Sequence, residues 1–144
     1  MDELILEDES FARNYLLLTS IKGIGHVNAI NTLLHTNNFA CFENARQYAC
    51  YIGIAPFGHT SGTSIKGKPK VSKFGNRLLK ADLTQAARSA VQWDAEIKEY
   101  YLRKEAQGKE FWVIMNAVKF KLVCRMFAVV TRGTPWVDTK RYVN

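Results

Sequence analysis

The sequence predicts a mainly α-helical domain, and three of its features favour that fold class. Apolar residues recur at intervals of three and four along most of the chain, as they do in amphipathic helices. Asparagine or glycine residues close these segments at Asn37, Gly53, Gly108 and Gly133. With 144 residues and 47% hydrophobic composition, the chain can bury a core of its own. We therefore predict a small multi-helix domain.

The first half of the chain predicts three helices. The first spans about 9–19, and a tight turn at 20–25 separates it from the second, at about 26–36. A short third helix at about 43–52 ends at a glycine. The apolar stripes of the first two helices are expected to be Phe11, Ala12, Tyr15, Leu16 and Leu18, and then Val27, Ala29, Ile30, Leu33 and Leu34.

Residues 54–75 interrupt the helical pattern. This stretch, IAPFGHTSGTSIKGKPKVSKFG, holds four glycines and two prolines and lacks any acid. Loops of this length in compact domains are uncommon and are often functional. Part of the stretch fits a short β-hairpin, in which 63–65 pairs with 70–72 around 66–69. We expect a long basic loop here.

Three further helices are predicted in the second half. They span 76–93, 94–108 with an Asp94 cap, and 109–133, which is long and largely apolar. The helix at 76–93 has two different faces. Its apolar face is Leu79, Leu83, Ala86, Ala87 and Ala90, and its polar face is Arg77, Lys80, Thr84 and Arg88.

The turn at 20–25 carries two glycines around one isoleucine, directly before a helix. Glycine permits positive φ and close backbone approach, and the first amides of a helix can bind phosphate. The pattern resembles the helix-hairpin-helix module, which binds the DNA backbone without reading sequence. Gly23, Ile24, Gly25 and the amides of His26 and Val27 are the predicted contacts. A plain helix–helix turn with a glycine cap is the alternative.

Charge also favours a polyanionic partner such as nucleic acid. The net charge is +7, although the first ten residues contain five of the thirteen acids and lack Lys and Arg. A basic cluster without acids lies between residues 59 and 80. It consists of Lys66, Lys68, Lys70, Lys73, Arg77 and Lys80. A solvated basic surface without a ligand is the alternative.

Other side-chain chemistry points to a cytoplasmic protein without a metal site or membrane segment. Cys41, Cys50 and Cys124 form no C-x-x-C pair and are expected to be buried as small apolar groups. The three histidines show no ligand spacing with them. The acidic start is unlike a signal peptide, and no apolar run is long enough to span a bilayer. Several hydroxyls lie in the basic loop, and composition alone does not select a nucleophile among them.

Four motifs in order resemble the C-terminal part of one transposase family. They are G-I-G at 23–25, Y-x-G-I-x-P at 51–56, S-G at 61–62 and S-K-x-G-N-x-x-L at 72–79, within a match from about Leu16 to Trp136. The family is the DEDD-type insertion-sequence transposases (116/110/902), relatives of the Piv invertase that are also described as bridge-RNA-guided recombinases. The resemblance divides the chain into an acidic lead-in at 1–15, a transposase C-terminal domain at 16–137 and a tail at 138–144. The lead-in is either the end of a connecting helix or a disordered segment.

The resemblance implies a role in moving an insertion sequence, with DNA and a structured guide RNA as partners. A serine of this domain would attack DNA, together with a RuvC-like domain that carries four acids and Mg²⁺ and lies outside this sequence. Ser61 matches the S-G motif, Ser72 is the second choice, and His59 would assist proton transfer. Lys80 replaces the usual arginine and loses its two-pronged donor. The full-length protein is expected to form a homo-oligomer, and the isolated chain is expected to be inactive and to bind no cofactor itself.

Two other functions remain open on the sequence. The chain could be a non-catalytic helix-hairpin-helix DNA-binding module, which would form no covalent adduct with DNA. It could instead be a basic assembly domain that dimerises through the long apolar helix at 110–132.

Overall fold

The computed structural model describes residues 9–54 and 73–138, with side chains in the second range from Arg77 onward. These residues form six helices and no strand, which confirms the mainly α-helical prediction. The helices are α1 (Glu9–Thr19), α2 (His26–His35), α3 (Ala45–Ile52), α4 (Lys73–Trp93), α5 (Ala95–Ala106) and α6 (Phe111–Arg132). The expected β-hairpin lies outside the described residues.

The ends of the helices follow the signals in the sequence. The Asn44 side chain accepts a hydrogen bond from the Gln47 amide and so caps the start of α3. At the end of α3, Gly53 adopts a left-handed conformation with φ of 77°. Gly133 ends α6 in the same way, with φ of 71°. The predicted stop after α2 uses three successive residues with positive φ, namely Asn37, Asn38 and Phe39.

Helices α4 and α6 form the centre of the molecule. Helix α6 packs against α1, α3, α4 and α5, and α4 packs against every other helix except α1. The predicted apolar face of α4 is buried, including Leu79, Leu83 and Ala87. It meets buried side chains of α6 that include Val118 and Leu122. None of the helices in the described ranges is long and apolar enough to cross a membrane.

Some apolar side chains that were expected in the core lie at the surface. Leu16 is 67% exposed and Val27 is 61% exposed, and Leu34 is also exposed, whereas Leu17 and Thr32 are buried. The inward face of α1 is therefore rotated from the predicted stripe, and Val27 lies in the first turn of α2. The prediction for the cysteines is wrong, because Cys41, Cys50 and Cys124 are all exposed.

Asp94 corrects another expectation. The amphipathic pattern of the sequence predicts that this acid, with Asp82, Glu96 and Glu99, lies on a solvated helix face. Asp94 does cap α5, because its Oδ1 accepts the Ile97 amide at 3.0 Å, but its side chain is buried. Its Oδ2 lies 2.7 Å from Nη1 of Arg125, which is also buried. The physical reason is that the cap position faces α6, where an arginine supplies the counter-charge.

Candidate nucleic-acid interface

The turn between α1 and α2 is anchored from inside by two isoleucines. Ile21 and Ile24 are buried, and the Ile24 amide donates to the Ile21 carbonyl at 3.0 Å. Because the Ile24 side chain points into the core, this residue can offer only backbone atoms to a ligand. The turn itself begins where the Ser20 amide donates to the Leu17 carbonyl at the end of α1. The two predicted helices joined by a tight turn at 20–25 are therefore present.

The two glycines of this turn have different environments. Gly23 has φ of 99°, and a Cβ atom there would lie 2.5 Å from the Ala86 carbonyl oxygen and 3.3 Å from the Ala90 Cβ. Gly25 has φ of −96°, and a Cβ atom there would meet nothing within 4 Å. The first glycine thus lets the turn approach α4, while the second is open to the surface. A role of Gly23 in binding phosphate remains a prediction.

The start of α2 presents its first backbone amides at the surface. Gly25 is the N-cap and makes no side-chain capping bond. The next two residues, His26 and Val27, are exposed, and Tyr15 Oη lies 2.8 Å from Nδ1 of His26. The amide groups of a first helical turn have no partner within the helix and lie at its positive end. This end of α2 is therefore suited to an anion.

Helix α4 also carries an exposed basic face. Arg77, Lys80 and Arg88 are exposed, and none of them forms an ion pair with another described residue. Lys80 also lies across the end of α3, since a Cβ atom on Gly53 would be 3.0 Å from its Nζ. A cation is favourable at the negative end of a helix. We call these three residues the α4 basic face.

Two amides fix α2 against α4, and so hold the turn and the α4 basic face in one unit. The Asn28 side chain donates to the Asp82 carbonyl at 3.1 Å, and the Asn31 side chain donates to the Asp82 carboxylate at 2.8 Å. The close approach of Gly23 to Ala86 adds a third link. The amide end of α2 and the α4 basic face therefore keep a fixed relation.

Lys119 on α6 is a further basic residue, outside the cluster predicted between residues 59 and 80. It is buried, and the described residues supply it with no carboxylate partner. Burial lowers the pKa of its ammonium, and the positive charges of Lys80 and then Arg88 lower it further. The signal was present in the sequence, because Lys119 interrupts the apolar stripe of Met115, Leu122 and Met126.

The predicted catalytic residues lie in the part of the chain that the structure does not describe. Ser61, Ser72 and His59 belong to it, together with Lys66, Lys68 and Lys70 of the basic cluster. Lys73 is in α4, and its side chain is likewise outside the described set. Among the described residues, His, Cys, Asp and Glu side chains form no group of three that could hold a metal ion.

Comparison with known proteins identifies the family. The family model for the IS116/IS110/IS902 transposases matches residues 15–102. The chain is 31% identical over 118 residues to the IS110 insertion-element protein of Streptomyces coelicolor, covering 82% of this chain and 29% of that relative. It is 30% identical over 122 residues to the pilin gene-inverting protein of Moraxella bovis, covering 83% of this chain and 38% of that protein. The chain therefore spans about a third of the length of these relatives, and it belongs to the IS116/IS110/IS902 transposase family.

Proposed function

We propose that this chain is the DNA-binding part of a transposase and that it binds the phosphate backbone through the start of α2 and the α4 basic face. The observation that carries the proposal is that α4 exposes three basic side chains with no ion-pair partner among the described residues, in a fold that also exposes the first residues of α2. Cations that are not neutralised within the protein are available to displace the counterions of DNA. The family supports DNA as the substrate.

Binding of this kind is dominated by salt-dependent electrostatics. Each phosphate that a protein neutralises contributes about −0.9 to the slope of log affinity against log salt on duplex DNA. If four to six basic groups of the α4 basic face and the neighbouring loop bind phosphates, the slope should be about −4 to −5. Sequence preference should be weak, because amides and ammonium groups at the backbone do not read bases.

The α4 basic face can be tested by removing two of its charges. We expect Arg77→Gln/Lys80→Gln to weaken binding of a labelled DNA duplex at least tenfold and to reduce the salt slope by about two, as expected for two lost phosphate contacts. Fluorescence anisotropy across a salt series measures both quantities.

The matched control for this pair is Lys98→Gln/Lys109→Gln. It removes the same charge from exposed positions on α5 and in the turn after it. If the two double variants lose affinity equally, DNA binding depends only on net charge and the assignment to α4 is wrong.

The proposal extends to chemistry through the family resemblance. Ser61 would supply the nucleophile, with its Oγ forming a bond to the scissile phosphorus while the bond from phosphorus to a deoxyribose oxygen breaks. His59 would assist the proton transfer, and Mg²⁺ would be bound by the acidic domain that the resemblance places outside this sequence. A guide RNA, self-association of the full-length protein and a cytoplasmic location also remain predictions from the sequence.

Ser61 can be tested in a full-length protein that contains this chain. We expect Ser61→Ala to abolish strand transfer and the covalent protein–DNA adduct while leaving DNA affinity within about twofold, because one neutral hydroxyl contributes little to backbone binding. Ser72→Ala is the matched variant. If Ser72→Ala abolishes the adduct and Ser61→Ala does not, Ser72 is the nucleophile. DNA binding without any adduct would favour the non-catalytic helix-hairpin-helix module.

A further inference from the structure

Helix α6 contains two buried cations with opposite surroundings. Arg125 is 5% exposed and lies 2.7 Å from an Asp94 oxygen and 3.4 Å from a Glu96 oxygen. Lys119 is 6% exposed, its ammonium lies 5.5 Å from the centroid of the Trp112 ring, and it forms no ion pair with another described residue. Arg125 is neutralised within the fold, whereas Lys119 is not.

The surroundings of Lys119 make its charge unfavourable. Burying an ammonium without a counter-charge costs several kcal/mol in general, which is why buried charges in proteins are usually paired. The nearby charges that act on Lys119 are those of Lys80 and Arg88, which have the same sign. These two residues are eight positions apart on one face of α4, with Thr84 between them. The charges of Lys80 and Arg88 thus act on the buried Lys119 where α6 packs against α4.

We propose that Lys119, Lys80 and Arg88 form a phosphate site at the junction of α4 and α6, and that this site binds one phosphodiester group of a nucleic-acid backbone. A bound phosphate would supply the negative charge that the described residues do not. Lys119 would hold the phosphate from the inner side, while the exposed Lys80 and Arg88 would approach it from α4. The identification of the phosphate as part of nucleic acid rests on the proposed function.

The half-exposed Trp112 ring has a supporting role at this site. A cation over an indole ring is favoured by the charge distribution of the ring, and this contact gains strength when the cation is desolvated. Because Trp112 is 53% exposed, it covers one side of the Lys119 ammonium without enclosing it. The ring can hold the ammonium in place in the absence of a ligand.

The test compares Lys119→Met with Lys121→Met, two residues away on the same helix. The Lys121 ammonium lies 4.4 Å from the centroid of the Tyr100 ring of α5, which places it toward α5. We expect Lys119→Met to weaken binding of duplex DNA about three- to tenfold and to reduce the salt slope by about 0.9, the value for one phosphate. Lys121→Met should change the affinity less than twofold and leave the slope unchanged. Lys119→Arg, which keeps the charge, should restore most of the slope.

A stability measurement separates this role from a structural one. Methionine matches the length of lysine and removes a buried charge, so the melting temperature of Lys119→Met should be equal to or above that of the wild-type chain. A variant that is folded and at least as stable, yet binds DNA with a smaller slope, has lost a ligand contact. A variant with the wild-type slope would overturn the proposal.

Inorganic phosphate provides a second test of the site that does not depend on DNA. At constant ionic strength set with sodium chloride, phosphate should raise the melting temperature of the wild-type chain and have less effect on Lys119→Met. If the wild-type chain binds no DNA but shows this difference, the phosphate site stands and the proposed function fails. If phosphate stabilises both proteins equally and the DNA slopes also agree, the site does not exist.

An RNA hairpin in place of the duplex would show which nucleic acid the site prefers.

Discussion

The two glycines of the 20–25 turn show how similar residues can have different roles. The G-I-G pattern correctly predicts a tight turn before a helix. It does not show that Gly23 faces the α4 backbone while Gly25 faces solvent, because that difference depends on a helix more than sixty positions away in the sequence. A substitution at Gly23 would therefore disturb the fold, so only Gly25 is suitable for testing phosphate binding at the turn.

Alanine substitution should separate these roles. Gly23→Ala places a Cβ atom 2.5 Å from the Ala86 carbonyl oxygen at φ of 99°, so we expect it to lower the free energy of unfolding. The loss should be about 2–4 kcal/mol, from the left-handed backbone and the overpacking together. Urea denaturation measures it. Gly25→Ala, with negative φ and open space, should change stability by less than about 1 kcal/mol. Equal losses in the two variants would contradict this account of the turn.

Lys119 shows a second limit of sequence reasoning at the level of residues. The periodicity of α6 reveals a lysine and an arginine at inward positions, 119 and 125. It does not reveal that Arg125 has carboxylate partners while Lys119 has cations near it, because those neighbours belong to α5 and its cap and to α4. The shared face of Arg77, Lys80 and Arg88 was evident from the sequence, because residues three and four apart are neighbours on a helix and Thr84 lies midway between Lys80 and Arg88.

At the scale of elements, the helices were predicted well because both their periodicity and their end signals were strong. Asn44, Gly53 and Gly133 act as the pattern indicates. The predicted orientation failed at Leu16 and Leu34, where two or three apolar residues in succession make several stripes equally plausible. The burial of Asp94 was also missed, because a cap residue is usually exposed and only the packing of α5 on α6 encloses this one.

The junction of α5 and α6 should depend strongly on that buried acid. Asp94→Ala leaves Arg125 buried with only Glu96 as a carboxylate partner and also removes the cap of α5. We expect the free energy of unfolding to fall by about 3–5 kcal/mol, the usual cost of removing one partner of a buried pair. Chemical denaturation followed by circular dichroism measures the loss.

Glu96→Ala is the control for this prediction. Glu96 contacts the same arginine, but its side chain is 49% exposed, so its loss should cost less than about 1 kcal/mol. If both variants lost stability to the same small extent, the buried pair would not be a main support of this junction.

At the scale of the whole molecule, the last described segment returns to the first turn. The Trp136 amide donates to Ser20 Oγ at 2.9 Å, and Lys22 lies 3.0 Å from an Asp138 carboxylate oxygen. The guanidinium of Arg125 stacks over the Trp136 ring at 4.4 Å from its centroid. The first two contacts join positions 116 residues apart, so neither periodicity nor local signals could predict them.

Several charged side chains fall into two groups across the described part of the fold. The acids at Asp82, Asp94 and Asp138 each have a polar or basic partner within the fold. The cations Arg77, Lys80, Arg88 and Lys119 form no ion pair with the other described residues. These four cations make up the proposed nucleic-acid surface, because no carboxylate of the described residues neutralises them.

The most direct test of this account is to map DNA contacts by nuclear magnetic resonance on the isotope-labelled chain. A short duplex should be titrated in at low salt while the backbone amide signals are followed. We expect the largest shifts at 25–28, along 77–88 and at Lys119, and small shifts along α5. Shifts concentrated on α5, or on the exposed aromatic residues Phe111 and Trp112 alone, would contradict a DNA-binding surface built on α2 and α4.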